Sequence, residues 1–250
     1  MKLFSGKGWR VAATVRSPEK SQALAQLPGV SLHRLDVTDS ASIKEAVEAA
    51  IARHGAVDVL VNNAGYGMVG PFEASSEEQV QRQFATNVFG LMNVVREFLP
   101  TMRDKGGTIV NISSVGGRLT FPLYSVYHST KWAVEGFTES LQFELRPFGI
   151  KVKLVEPGPI KTDFYNRSQD LVSKEGLLAY DEFVQKAMTN MNKEASGAPG
   201  PELVAKTIFR AANDHSSRLR YPVNAEAMLA LRKVLPDRAL FGLVRAIVLR

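Results

Sequence analysis

Tyr127 and Lys131 stand four positions apart in the run Tyr127-His128-Ser129-Thr130-Lys131. On a helix that spacing puts both side chains on one face. A free tyrosine, with a pKa of about 10, is a poor proton donor or acceptor at neutral pH. A neighbouring ammonium favours the phenolate. The pair could then give a proton to a developing alkoxide or take one from an alcohol. Alone, the spacing fits an exposed Tyr and Lys equally well, because it recurs by chance on many helices. Ser114 follows an apolar run, where a hydroxyl could hold a substrate oxygen. Asn62-Asn63-Ala64-Gly65 follows another such run, and Asn87 falls inside a helical stretch. Asparagine is mildly unfavourable there, so either a side-chain task or a solvated position is expected of it.

The surrounding pattern alternates strand and helix. Trp9 to Val15, Val30 to Asp36, Val57 to Val61, Thr108 to Ser113 and Lys151 to Glu156 are expected strands. Helices are expected from Ser17-Pro18-Glu19 onward, over Asp39 to His54, through a stripe from Val80 to Met102, and over Tyr127 to Leu145. Gly55 and Gly106-Gly107 are stops. Continuous apolar strands between helices imply an α/β fold, a Rossmann-like doubly wound parallel sheet. Ligands then meet the carboxyl ends of the strands, where Asn62 to Gly65 and Ser114 fall. Pro201-Glu202 opens a further helix, and Arg220 to Val223 is an expected last strand.

The chain has 250 residues, a net charge of +6 and no cysteine. The length suits one domain over 1–250. Disulfide and thiolate chemistry are excluded. The cations are dispersed rather than striped, which argues against nucleic acid. The four histidines (His33, His54, His128 and His215) lack metal-ligand spacing, so no metal is expected. Apolar runs fall short of a membrane span and no signal peptide is evident, so a cytoplasmic location is expected.

Asn62-Asn63-Ala64-Gly65, Asn87-Val88, Ser114, Tyr127 to Lys131 and Pro157-Gly158-Pro159-Ile160-Lys161-Thr162 follow in one order. Together they resemble the successive motifs of the short-chain dehydrogenase/reductase family, and the apolar residues of 164–188, the segment Arg220-Tyr221-Pro222-Val223 and the tail resemble its branch of hydroxysteroid and retinol dehydrogenases. The resemblance implies a nicotinamide-dependent oxidoreductase. It makes Tyr127 the general acid/base, Lys131 its partner and a ligand of the nicotinamide ribose, and Ser114 the group that orients the carbonyl. Asn87 would hold a water in a relay behind Lys131. Asn63, Ala64 and Gly65 would line the adenosine side, Asp36 and Val37 would meet the adenine, and Pro157, Gly158, Ile160 and Thr162 the nicotinamide amide.

Members of the family that prefer NAD carry an acidic residue at the end of the second strand. Here Val15 and then Arg16 stand there. Arginine can hold a 2′-phosphate in a charge-assisted fork, which favours NADP(H) over NAD(H). Otherwise Arg16 is a solvated charge. Family chains open with a strand and a glycine-rich turn, whereas this one opens at Met1-Lys2-Leu3-Phe4-Ser5-Gly6-Lys7-Gly8. A missing first strand and phosphate turn, from a start placed too far downstream, is therefore expected. The alternative is an impaired or non-catalytic member that only binds.

The segment 158–200 reads as a substrate lid or a plain surface excursion. Its Phe164, Tyr165, Leu171, Leu177, Leu178, Tyr180, Phe183 and Met188 suit an apolar alcohol or ketone, or else only pack the lid. The tail from Leu229 mixes apolar residues with Arg232, Lys233, Arg238, Arg245 and Arg250. Such a helix either contacts a membrane peripherally or packs on its own domain. The resemblance implies a homodimer or homotetramer, since the helices near Val80 and Tyr127 form the dimer faces in many family members, and Ala133 and Gly136 would permit close approach there. A sugar-nucleotide epimerase or dehydratase is a weaker option, opposed by the Asn62 to Gly65 and Pro157 to Thr162 motifs.

Overall fold

Neighbouring residues on the middle strands bury opposite faces, and this fixes the layering. In the computed structural model, which describes residues 1–162, 164 and 168–249, β3 (Val59–Asn62), β5 (Gly107–Ile112), β6 (Ile150–Pro157) and β8 (Arg220–Val223) form a parallel sheet in the order β3-β5-β6-β8. Ile109 and Leu154 turn to one face, against α3 (Ser40–His54), α5 (Leu91–Lys105) and α6 (Ser125–Leu145). Val110 and Val155 turn to the other, against α1 (Lys2–Gly6) and α8 (Glu202–Asn213). All four are fully buried, as a sheet covered on both faces requires.

β1 (Val11–Val15) pairs in parallel with β2 (Val30–Arg34) as a separate two-stranded sheet. No ladder joins β1 to β3 among the described residues. On the β3 side of β1, Phe4 packs edge-on against Trp9 and Phe209.

Most expected elements stand within two or three residues of their places. Asp39 caps α3, its carboxylate accepting from the Ala41 and Ser42 backbone N–H groups. Three expectations are corrected. Ser17 caps no sustained helix: Pro18–Lys20 is one tight turn, and α2 (Gln22–Ala25) is a single short turn. The stripe from Val80 is not one helix. It is α4 (Glu77–Phe84), a π-helical turn over Ala85–Gly90, then α5. Its start is set by a capping box, with Ser76 and Gln79 bonding each other's backbone N–H. The lid holds a strand that was not expected, β7 (Gln169–Leu171), paired with β4 (Gly67–Val69). It is followed by α7 (Asp181–Ser196). Two tail helices, α9 (Glu226–Val234) and α10 (Asp237–Val248), close the chain. Tyr165 and Arg250 lie outside the described residues. No described helix is long and apolar enough to cross a membrane.

Candidate active site

The 21-residue α6 carries Tyr127, Lys131 and Glu135 on one face, toward the carboxyl ends of β5 and β6. All three are buried. Lys131 Nζ donates to the Ile112 carbonyl at 2.9 Å and sits 5.9 Å from the Tyr127 ring centroid. Burial pushes its pKa down to about 8, while the charge of Glu135 works the other way. Lys131 therefore remains mostly an ammonium at neutral pH, but gives up its proton more readily than an exposed lysine.

Ser114 begins a tight turn over Val115–Gly117 directly after β5. Its Oγ accepts from the Gly116 N–H at 3.0 Å and donates to the Pro157 carbonyl at 3.4 Å. The hydroxyl is thus fixed between two strand ends. Gly116 has a steric reason to be glycine. A Cβ there would lie 2.5 Å from His128 Cδ2, and His128 is buried against Phe121, Tyr124 and Tyr127. Burial lowers the His128 pKa to about 4, so the ring is neutral. Gly116→Ala is expected to cost about 1–3 kcal/mol in stability through overpacking, read by denaturant unfolding. An unchanged midpoint would show that His128 can move aside.

Asn87, on the π-helical turn, spends its side chain on protein partners. Its Nδ2 donates to the Tyr66 carbonyl and Thr130 Oγ1, and its Oδ1 accepts from the Tyr66 N–H. A relay water held there would use the backbone. Gln83 does similar work: it accepts from the Met68 N–H and donates to the Tyr66 carbonyl. Together they fix the loop after β3. At the end of β3, before that loop, Asn62 bonds Asn111, which bonds Thr138 of α6. Asn62 is therefore a tie between layers, while its neighbour Asn63 reaches the cavity described below. The role of Gln83 was not legible, because a polar helix residue looks solvated from spacing alone.

Behind Ser114 lies a buried charge cluster that the sequence did not announce. Arg220 Nε meets Glu135 at 3.0 Å and Glu156 at 3.5 Å, and Arg118 meets Glu156 at 3.5 Å. One oxygen of each of the Glu135 and Glu156 carboxylates is buried with no hydrogen-bond partner among the described residues. Desolvation, and then the charge of Glu135, push the Glu156 pKa up to about 7. The folded state therefore holds a proton that the unfolded chain releases near its ordinary value. That stabilisation is full below the unfolded pKa and is lost as pH rises through about 7. Glu156→Gln should flatten the fall in Tm between mildly acidic and mildly alkaline pH. An equal fall in both proteins would place the titration elsewhere.

These groups meet in one cavity of about 720 Å³. Of the expected residues, Asn63, Gly65, Ser114, Tyr127, Lys131, Pro157, Gly158, Ile160 and Thr162 line it. Asn87 lies directly beneath: a Cβ on Gly65 would sit 3.1 Å from its Oδ1. Gly158 is held against the Asn224 carbonyl, which a Cβ would meet at 2.3 Å. Ser113 lines the cavity beside Ser114, and a Cβ on Gly117 would meet Ser113 Oγ at 2.7 Å and Glu135 Cγ at 2.8 Å. Arg16, Asp36, Val37 and Ala64 are not among the walls. Arg16 is exposed at the end of β1. Asp36 accepts from the Thr38 N–H and hydroxyl, bonds that hold its carboxyl below the usual range, with a smaller contribution from Arg16.

Of the apolar residues expected to meet a substrate, Phe164 lines the cavity, whereas Leu171 and Leu178 are exposed, and Tyr180 and Phe183 line a separate shallow hollow. The segment 158–200 also contributes Ser168, Asn190, Met191 and Glu194 to the walls, and α8, α9 and α10 add Val204, Ile208, Met228, Leu240 and Val244. No cluster of metal-ligating side chains is found among the described residues.

Residues 1–171 match the family model of the short chain dehydrogenases. An uncharacterised oxidoreductase of Schizosaccharomyces pombe is 39% identical over 226 residues, covering 89% of this chain and 94% of that protein. Human 17-beta-hydroxysteroid dehydrogenase type 1 is 35% identical, covering 88% of this chain and 68% of that protein. A short-chain dehydrogenase structure from Streptomyces avermitilis superposes with a TM-score of 0.80 at 35% identity, covering 96% of this chain and 86% of that one. Among solved relatives, one from Burkholderia phymatum holds NAD (26% identical, TM-score 0.77, 96% and 87% covered) and ElxO holds NADP (28%, 0.71, 88% and 90%). The motifs quoted from the sequence, the layered parallel sheet and these matches agree: the chain is an oxidoreductase and belongs to the short-chain dehydrogenase/reductase family.

Proposed function

We propose that the protein interconverts an alcohol with a ketone or aldehyde, using NADP(H), on an apolar substrate of steroid, retinoid or lipid type. One observation carries this reading. Ser114, Tyr127 and Lys131 meet at one part of a cavity whose remaining walls are largely aliphatic and aromatic. The donor set suits a nicotinamide ribose: Lys131 has three N–H donors and one acceptor among the described residues, Ile112 O. When bound, the cofactor gives or accepts the hydride.

The protein's own groups do the rest. Ser114 Oγ orients the substrate oxygen and donates to it as charge develops. Tyr127 Oη gives its proton to that oxygen in reduction and takes it back in oxidation. The Lys131 ammonium favours the tyrosinate that results. Asn87 fixes the loop at Gly65 through Tyr66, and so keeps the adenosine side in register with α6. The preference for NADP(H) rests on Arg16, because the solved relatives include both cofactors. Asp36, Val37, Asn63 and Ala64 are proposed for the adenosine end, and Pro157, Gly158, Ile160 and Thr162 for the nicotinamide amide.

The segment 158–200 is read as a lid within one domain spanning 1–250, in a cytoplasmic protein. A homodimer or homotetramer is supported by Phe89, Trp132 and Phe143, which are exposed on the π-helical turn and α6. A second reading, binding without turnover, is favoured by the missing ladder between β1 and β3. Fluorescence titration of NADPH and NADH, followed by assay with apolar ketones, separates the two. Tighter NADPH binding with ketone-dependent oxidation is expected. Binding with no turnover on any ketone would move the second reading to the front.

A further inference from the structure

We propose that the mouth of this cavity docks on an anionic lipid bilayer through α9 and α10, with its apolar substrate entering from the membrane. The path of the substrate rests on the reading above; the docking does not. Three residues define the mouth. Leu231, Leu243 and Ile247 line the cavity and yet remain 37%, 39% and 38% exposed. On the same two helices Leu229, Leu240 and Val248 are buried, so the pair is anchored to the fold. Its outer surface adds Val234, 75% exposed, and Phe241, 49% exposed. Large apolar side chains around an opening cost free energy in water unless something covers them.

The charges select the cover. Lys233, Arg238 and Arg245 are exposed on the same helices. Arg232 is paired with Asp237, and Glu226 accepts from the Ala225 N–H at the start of α9. Glu226 keeps its charge, but against Lys233, Arg238 and Arg245 the balance of the two helices is positive. Arg238 and Arg245 stand three and four positions either side of Phe241 on α10, and Lys233 precedes Val234. Apolar side chains with long cations at their flanks match the boundary between acyl chains and anionic headgroups, where the cations reach outward. A symmetric second copy fits worse, because a twofold interface would set Arg238 and Arg245 against their own like charges. At nine and twelve residues, the two helices suit lying on a bilayer rather than crossing it.

The test is sedimentation of the whole chain with vesicles of phosphatidylcholine alone and of phosphatidylcholine with phosphatidylglycerol. Binding is expected to the anionic vesicles and to fall with added salt. Arg238→Glu/Arg245→Glu should weaken it at least tenfold, and Phe241→Asp should weaken it as well. None of these three residues lines the cavity. Turnover of a short, water-soluble ketone should be unchanged in the variants. Equal binding to neutral vesicles, no binding to either, or binding untouched by the substitutions would overturn the proposal. Loss of self-association in the variants, with no vesicle binding by the parent chain, would assign the patch to a second copy. A parent chain that binds vesicles but turns over no ketone would refute the enzymatic reading and leave the docking standing.

Discussion

Tyr127→Phe is expected to lower kcat for alcohol–carbonyl interconversion by about a thousandfold, the middle of the range for a lost general acid, while the Kd for NADPH changes little. The substitution removes one hydroxyl and keeps the ring, which packs against Tyr124, His128 and Phe164. The hydroxyl acts at the substrate oxygen, so its loss falls on the chemical step. Cofactor affinity is left to Lys131, Asn63 and the Pro157 to Thr162 turn. Steady-state assays beside fluorescence titration separate these terms. A variant that keeps more than a tenth of the parent rate would remove Tyr127 from the proton-transfer role. Equal losses of rate and cofactor affinity would make it a binding residue instead.

Arg16→Asp is expected to weaken NADPH binding by about ten- to a hundredfold and to spare or improve NADH. A hydrogen bond to a charged group contributes about 1.5–3 kcal/mol, and the new carboxylate adds repulsion toward a 2′-phosphate. Arg16 is exposed at the end of β1, and its charge reaches Asp36 at the end of β2. The substitution therefore alters a surface, not the core. The ratio of the two dissociation constants is the readout. If both cofactors weaken alike, Arg16 is only a solvated charge and the preference for NADP(H) loses its support.

Much of this architecture was legible because its signals are local. Val110 and Val155 sit in apolar runs bounded by glycines, and Asp39 and Gly55 bracket α3. The Tyr127 and Lys131 spacing needed only a helix to have meaning. What escaped depends on contacts between distant segments. The π-helical turn at Asn87 reads as ordinary helix, since its cause is the bonding of Asn87 and Gln83 to the loop at Tyr66. Arg220 reads as a strand-edge cation, yet it lies between Glu135 and Glu156. Of the apolar residues expected in the lid only Phe164 reaches the cavity, and part of its wall comes from a tail read only as amphipathic. Gly116 gave no hint either, because its need arises from His128 on another element.

The central claim is that this cavity couples hydride transfer to a proton held by Tyr127. Its most direct test supplies the chain with NADPH deuterated at the transferable C4 position and an apolar ketone, then analyses the product alcohol by mass spectrometry. The account predicts one deuterium on the carbinol carbon for each NADPH consumed, with labelled product forming about a thousandfold more slowly when Tyr127→Phe replaces the parent chain. NADPH that binds but transfers no deuterium to any ketone tried would contradict it and leave a cofactor-binding protein in its place.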